Sequence, residues 1–536
     1  MTRDVARLGA RTFDLLVIGG GIYGLTVAAD AAQRGLSVAL VEGDDFGSGN
    51  SFNHLRTIHG GLRYLQSLDV ARARESVRER RTLARVAPQF VRPLPFVLPL
   101  TSLVMKGPLM LRAGFLFDAL VAHDRNAHLP ESHRLPRGQV IGPAEARDRF
   151  PWLRGTRMYA AAVWHDYVVT EADRLTLAWA FSAAEHGATL VNHARAQRLL
   201  RQGDRIVGAR VDDLVEGRSI DVAAQVTVNA TGGDLDTLLT PEGLQTGTPM
   251  LQAMNLVTRL DGGAAAIGAQ TASGRALFMV PWRGRALFGT WESPTVCGPS
   301  RKYTTEADLS AFIREVASAY PQIGLTRDDV TLVHRGMVPA AVTASGRVSL
   351  EGRQQLRDHA TAAPAVEGLI SVAGTKYTTA RAAAEAVTDR VVSKLSRQAG
   401  PCRTSLVPLP RAARTGLEPS AASPPSGVFP ADVREQAMTI FGDLGDRVLG
   451  LADERPDLAA RVSHPAVVVA AQIVWAVRHE MAVTLADAVL RRTPLGALGH
   501  PGRPALMQAA AIMAAELGWD EARVSAEIDA VDAFYR

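Results

Sequence analysis

Asp14-Leu-Leu-Val-Ile-Gly-Gly-Gly-Ile-Tyr-Gly-Leu-Thr-Val-Ala-Ala29 begins as an apolar run, breaks on glycines and resumes with helix-forming residues. The pattern predicts a buried strand, a tight turn and a helix, with Gly19-x-Gly21-x-x-Gly24 at the turn. Gly19 permits the turn, Gly21 lets the backbone approach a phosphate, and Gly24 lets the helix pack closely on the strand. Ile22 and Tyr23 open that helix, whose positive N-terminal end suits a pyrophosphate. A second apolar run, Ser37-Val-Ala-Leu-Val-Glu42, ends on a carboxylate about 20 residues downstream, the spacing of an acid that accepts from a ribose hydroxyl pair. A phosphorylated ribose would be repelled there. Strand, turn, helix and acid in register predict a dinucleotide-binding α/β fold.

At 536 residues the chain exceeds one ordinary domain. Hydrophobic residues make up 47%, enough for a large core, and the net charge of +5 is small for this length. No nucleic-acid partner is expected from that balance; an anionic substrate or an anionic membrane surface are the specific alternatives to a merely solvated basic surface. Cys297 and Cys402 stand far apart without metal-type spacing, so neither a disulfide framework nor a metal is expected, and a reducing, cytoplasmic compartment fits. The N-terminal residues lack the apolar core of a signal peptide. The most membrane-like segment, 103–122, is broken by Lys106, Pro108, Arg112 and Asp118, which a spanning helix tolerates poorly. Two readings stay open for it: a buried helix, or one lying in the interface on the inner face of the cell membrane, with Leu109, Met110, Leu111, Phe115, Leu116 and Phe117 as its apolar surface.

The nucleotide fold continues far downstream. Gly187-Ala-Thr-Leu-Val-Asn-His-Ala-Arg-Ala196 reads as a strand, and residues 219–228 lead into Val228-Asn-Ala-Thr-Gly-Gly233, which resembles the strand-and-turn element with which large flavoproteins complete their cofactor site. A third glycine turn, within Leu369-Ile-Ser-Val-Ala-Gly-Thr-Lys-Tyr-Thr-Thr379, precedes a helical run over 380–395. The cofactor-domain elements are expected at about 12–75, 170–235 and 355–396, interleaved within residues 1–400 with substrate-domain elements at about 85–165 and 245–350. Residues 276–292 read as a hairpin about a Trp-Arg-Gly turn. Residues 401–430, rich in proline and small side chains, read as a linker, and 431–536 as a separate helical domain.

With His59-Gly-Gly-Leu-Arg-Tyr-Leu65 added to these motifs, the chain resembles the FAD-dependent glycerol-3-phosphate dehydrogenases. The resemblance extends through Asn229-Ala-Thr-Gly232, Gly289-Thr290, Arg357-Asp-His359, Gly374-Thr-Lys-Tyr-Thr-Thr379, Pro401-Cys-Arg-Thr404 and the C-terminal block from Trp475 to Thr493, nearly the whole chain. It implies a glutathione-reductase-like FAD domain, an antiparallel-sheet substrate domain and a C-terminal helical cap. The implied reaction takes two electrons from the secondary alcohol of an anionic, phosphorylated substrate by hydride transfer to flavin, and passes them to a quinone or to oxygen; a homo-oligomer is a further expectation.

The resemblance assigns FAD to Gly19, Gly21, Ile22, Tyr23, Gly24 and Glu42, to Gly60, Gly61 and Leu62, to Ala196, Ala230 and Gly232, and to Gly374, Thr375, Lys376 and Thr378. It places His59, Arg63, Tyr64, Arg335, Arg357 and Lys376 at the catalytic centre. Arginine offers phosphate two-pronged donors, so Arg335 and Lys376 are expected to face the substrate across the flavin, with Arg357 touching it or its direct contacts. His59 either accepts the alcohol proton or holds the Gly60-Gly61 turn. Lys376 stabilises negative charge on reduced flavin.

Several family positions differ. Where a histidine is common near the substrate the chain has Asn255, in Gln252-Ala-Met-Asn255, and asparagine does not titrate. The hairpin reads Gly289-Thr-Trp-Glu292, the usual Arg-Pro-Leu is Arg335-Gly-Met337, and a small, hydroxyl-rich run is Ser51-Phe-Asn-His-Leu-Arg-Thr57. Trp291 and Phe52 either reshape the pocket or fill core volume, and His54 and Arg56 set specificity or serve the local fold. The competing function is a related flavin oxidase or dehydrogenase acting on a different anionic alcohol or on an amine; a flavin-binding scaffold is the non-enzymatic alternative.

Overall fold

Phe13–Ile18 is buried along its whole length and is the central strand of an eight-stranded sheet. Continuous burial requires cover on both faces, as in parallel sheets. The strand runs parallel to Val38–Val41 on one side and to Arg218–Asn229 on the other. Thr189–Val191 and Leu369–Ala373 extend the parallel array, and Gln355–Asp358 closes one edge antiparallel. Helices Ile22–Gln33, Ala172–Glu185 and Ala380–Lys394 supply Leu25, Ala28, Trp179, Phe181, Ala384 and Val387 to the core over this sheet. The computed structural model describes all residues except 66–67, 103–106, 272–273, 299–303, 397 and 411–428, so most of the expected linker, and the side chains of Arg63 and Leu65, lie outside the described residues.

The second sheet has ten strands, mostly antiparallel. Val330–Val342 and Arg285–Glu292 flank Met250–Thr258, and Ala276–Trp282 joins Arg285–Glu292 in the expected hairpin. Its turn uses left-handed residues at Arg283 (φ 49°) and Gly284 (φ 72°), the geometry that matches strand twist. Thr57–Ile58 pairs with Ala160–Val169 of this sheet, although the flanking sequence belongs with the nucleotide fold. The chain therefore crosses between the sheets just before His59.

Strand alternation gives the second sheet two different faces. Met254, Leu256, Phe288 and Trp291 pack beneath helix Glu306–Ala319 with Leu309 and Phe312. Val257, Val280, Trp282, Leu287 and Leu332 share the other core with Phe52 and with Val433, Ile473 and Val489 of the C-terminal segment. That segment is helical, as expected, but includes the short strand pair Arg461–Ser463 and Val468–Val469, and its core is continuous with the sheet rather than packed apart. Arg174 makes a two-pronged pair with Glu480 at 2.6 and 2.9 Å across the boundary.

Among the described residues no helix is long and apolar enough to cross a membrane. Helix Pro108–Val121 nevertheless exposes Leu109 (79%), Leu116 (71%) and Leu120 (73%), with Met110 beside them. Phe115, expected on this surface, is instead buried against Leu100 and Ala162.

Candidate functional site

The first glycine turn is stripped of side-chain room. A Cβ at Gly24 would overlap the Gly19 carbonyl, and one at Gly19 (φ +107°) would meet the Ala230 carbonyl. Gly21 caps helix Ile22–Gln33 in an extended conformation with no side chain of its own, leaving the helix N-terminus as an anion cradle. Glu42 stands at the end of its strand, its oxygens accepting from Gly20 N at 2.5 Å and Asp44 N at 2.8 Å. Burial pushes its carboxyl up to about 7 against these two amide bonds. Gly232 (φ +63°) lies beside Asn50, while half-buried Ala196 lies on strand Ala194–Gln202 next to Arg195, which packs on Gly43. Close backbone approach, a positive helix end and an acid beyond the neighbouring strand fit the FAD pyrophosphate and adenosine ribose.

Three glycine turns meet. Tyr23 Oη donates to the Lys376 carbonyl at 3.1 Å, and a Cβ on Gly374 would overlap that Tyr23 hydroxyl. His59 N donates to Thr378 Oγ1 at 3.3 Å, and Thr375 Oγ1 to the Glu351 carbonyl at 2.6 Å. Lys376 Nζ sits 4.1 Å from the centre of the Tyr64 ring, and both side chains are buried. A buried ammonium over an aromatic face is a fixed positive charge in a weakly solvated setting. Arg63 belongs to the one-turn helix Leu62–Leu65.

The His59 turn rests on residues that sequence did not single out. Gly60 N donates to Asp166 Oδ1 at 2.7 Å, Arg80 pairs with the same carboxylate, and Trp164 Nε1 donates to Asp166 Oδ2 at 3.1 Å. A side chain at Gly60 would run into the Arg80 guanidinium, and Gly61 adopts φ +76°. Burial pushes the Asp166 carboxyl upward and Arg80 opposes it.

The two expected substrate arginines stand on different strands, Arg335 within Val330–Val342 and Arg357 within Gln355–Asp358. Arg335 is paired in register with Met254 and so points into the layer under helix Glu306–Ala319, with Glu306 and Arg327 as its charged neighbours. A one-residue step along a strand changes the face, so Arg335 and His334 leave the strand on opposite sides. Arg357 Nη1 donates to the Thr246 carbonyl at 2.6 Å, tying the edge strand to the segment leading into the second sheet. Trp291 fills core volume on the same face as Met254. Glu292 is half-buried on the opposite face, accepting from Leu350 N at 3.0 Å.

His334, one residue before Arg335, lies directly across from Asn255. Asn255 cross-links its surroundings: Oδ1 accepts from Thr290 Oγ1 at 2.8 Å and Nδ2 donates to the Asn53 carbonyl at 3.3 Å. Beside this pair, Phe52 packs edge-on against His334, and His54 stacks on Tyr377 at 4.9 Å. Arg56, fully buried at φ 61°, lies between Phe52 and Trp282 at 5.4 and 4.7 Å, its guanidinium nitrogens without hydrogen-bond partners among the described residues. Burial next to this cation pushes His54 and His334 well below the ordinary histidine range, so both are neutral. Sequence contained His334 in Val333-His-Arg-Gly-Met337, but offered no sign of which neighbour faced inward.

The doubly wound sheet, the glycine turns and the antiparallel second sheet define a dinucleotide-dependent oxidoreductase fold. Residues 14–390 match the FAD dependent oxidoreductase family, and residues 377–524 match the C-terminal domain of alpha-glycerophosphate oxidase. The chain is 31% identical over 532 residues to a glycerol-3-phosphate dehydrogenase of Mycobacterium leprae (strain TN), covering 97% of this chain and 88% of that protein. It is 29% identical over 547 residues to one from Synechocystis, covering 98% and 97%. The crystal structure of the Bacillus halodurans glycerol-3-phosphate dehydrogenase complexed with FAD has the same fold, with a TM-score of 0.75 at 23% identity over 99% of this chain and 96% of that one. The chain belongs to the glycerol-3-phosphate dehydrogenase family of FAD-dependent oxidoreductases, and FAD is its cofactor.

Proposed function

We propose that the enzyme oxidises the secondary alcohol of an anionic, phosphorylated small molecule and delivers the electrons to a quinone or to oxygen. Bound FAD supplies the two-electron acceptor. The observation that carries this reading is the buried Lys376 ammonium at the meeting of the glycine turns, 4.1 Å above Tyr64. A cation held there, without reorganisation, stabilises negative charge as hydride leaves the alcohol carbon. The Gly19, Gly21 and Gly24 turn holds the pyrophosphate, and Glu42 accepts from the ribose. His59 accepts the alcohol proton in this reading, a role an imidazole can fill. Asp166 and Arg80 hold the turn from which His59 projects.

Asn255 and Glu292 favour a second reading on substrate identity: a different anionic alcohol, or an amine. Asn255 does not titrate, and Glu292 brings negative charge to the same sheet face. Anaerobic stopped-flow mixing of FAD-loaded enzyme with glycerol 3-phosphate separates the two. Rapid, saturable bleaching of the flavin supports the family substrate. Slow bleaching with glycerol 3-phosphate, together with fast bleaching by another phosphorylated polyol, hydroxy acid or amine, supports the second. No bleaching by any of them rejects both.

We further propose a cytoplasmic protein that docks on the inner face of the cell membrane through helix Pro108–Val121, whose exposed Leu109, Leu116 and Leu120 suit an interfacial helix. The proposed division assigns 12–75, 170–235 and 355–396 to FAD, 85–165 and 245–350 to substrate, and 431–536 to the cap.

A further inference from the structure

Arg491 and Arg492, near the end of the C-terminal block, reach one carboxylate of the nucleotide fold. Arg492 Nη2 and Nη1 lie 2.6 and 2.7 Å from Asp45 Oδ1 and Oδ2, and Arg491 Nε lies 2.6 Å from Oδ2. Asn192 Nδ2 donates to Asp45 Oδ1 at 2.9 Å. Asp487 completes the cluster, accepting from Arg491 Nη2 at 2.8 Å and contacting His193 Nε2 at 2.9 Å. Asp45 and Asp487 are fully buried, and both arginines nearly so. Asp45, His193 and Asp487 have the proximity of a metal-ligand set, but the two guanidiniums already neutralise the carboxylates, which argues against a cation there.

Asp45 occupies a loop that folds back over the first glycine turn. Gly47 N donates to the Gly20 carbonyl at 2.9 Å, and Ile22 N donates to Ser51 Oγ at 2.8 Å. Glu42 begins the same loop and bonds Gly20 N and Asp44 N. One short segment thus carries the acid assigned to the ribose and a hydroxyl on the first helical amide, and it is anchored at Asp45 by the C-terminal domain.

We propose that Arg491 and Arg492 are positioning residues for FAD: by neutralising Asp45, the C-terminal domain holds the 42–51 loop closed over the dinucleotide turn. This rests on the assignment of Glu42 and the Gly19–Gly24 turn to FAD. A buried carboxylate stripped of its cation is strongly unfavourable. Such a carboxylate recovers hydration by moving toward water, and that movement carries Glu42 and Ser51 away from the turn. Cofactor retention is therefore a task of a domain that contributes no glycine turn.

The test is the affinity and dissociation rate of FAD on the full-length chain, prepared free of flavin and titrated well below its melting temperature. Arg492→Lys keeps the charge but loses the two-pronged contact, and is expected to weaken FAD about tenfold; Arg492→Met is expected to weaken it about a hundredfold. Asp45→Asn combined with Arg492→Met removes both charges and is expected to recover most of the loss. Glu516→Gln, which breaks the Arg455 and Arg478 pairs within the C-terminal segment, lowers the melting temperature and leaves FAD affinity as in the wild type. FAD affinity unchanged in Arg492→Lys, or a double variant no better than Arg492→Met, overturns the proposal. Glu42→Gln separates the two layers: unchanged affinity there defeats the underlying assignment, whereas weaker affinity there with a wild-type Arg492→Lys defeats the loop anchor alone.

Discussion

Lys376 Nζ lies 4.1 Å from the centre of the Tyr64 ring, joining the His59 turn to the Gly374 turn through one buried cation–π contact. The Tyr64 ring also carries Arg72 at 4.9 Å, so it is shared between two cations. Lys376→Met is expected to slow substrate-driven flavin reduction about 10²–10³-fold, the usual loss for one preorganised electrostatic donor, with FAD still bound. Tyr64→Phe keeps the ring face and changes little, while Tyr64→Leu removes a contact worth about 1 kcal/mol and slows reduction several-fold. Anaerobic stopped-flow traces at saturating substrate measure both.

Arg335 points under helix Glu306–Ala319, away from the face that carries Asn255 and His334. Arg335→Gln should therefore leave the reduction rate within about fivefold of wild type and act mainly on thermal stability, in the range of about 1 kcal/mol common for single substitutions. A rate loss as deep as that of Lys376→Met would return this guanidinium to the substrate.

Glu42 links cofactor binding to pH. Burial raises its carboxyl to about 7, so below that value the carboxyl of the FAD-free protein is mostly protonated. Ribose hydroxyls donating to it favour the ionised form, so binding releases a proton and affinity rises with pH until it levels off above about 7. Titration calorimetry in two buffers of different ionisation heat counts that proton. An affinity flat from acid to neutral pH, with no proton released, would rule the ribose contact out.

Burial holds His54, His334 and His359 neutral, with His359 pushed down to about 4. Their folded values lie below the unfolded value near 6.5, so the unfolded chain binds more protons in the interval between. Their contribution to stability is complete above about 6.5 and declines as pH falls below it; that of His359, about 3 kcal/mol, is lost as pH falls toward 4. Melting temperatures between pH 7 and 5 should decline accordingly. His359→Asn, which cannot titrate, should show a shallower decline, and an unaltered slope would remove His359 from this account.

Leu109, Leu116 and Leu120 stand out from helix Pro108–Val121 with more than two thirds of their surface exposed. Replacing all three with serine should abolish co-sedimentation with vesicles containing anionic lipid while leaving reduction of a soluble acceptor unchanged. Undiminished sedimentation would count against this face as the docking surface.

Much of the cofactor end was legible in the chain itself. Gly24 announces a turn because the crowding that excludes a side chain there comes from the Gly19 carbonyl five residues before it, in a motif whose geometry is local. The hairpin at Arg283-Gly284 and the short apolar strands follow from the same short-range preferences. Helix Pro108–Val121 was readable as apolar, but only packing decided that Phe115 turns inward and Leu120 outward.

Sequence by itself determined the strand–turn–helix units, the FAD family and the order of elements, because each motif is written in residues close together along the chain. Tertiary structure alone decided that His334 and Asn255 share a face while Arg335 and Met254 take the other. It also decided that Asp166 supports Gly60 from 106 residues away, and that Arg491 reaches Asp45 across 446. Sheet register and the pairing of buried charges are long-range: a single-residue shift exchanges the faces, and a buried carboxylate takes whichever cation the packing brings within reach.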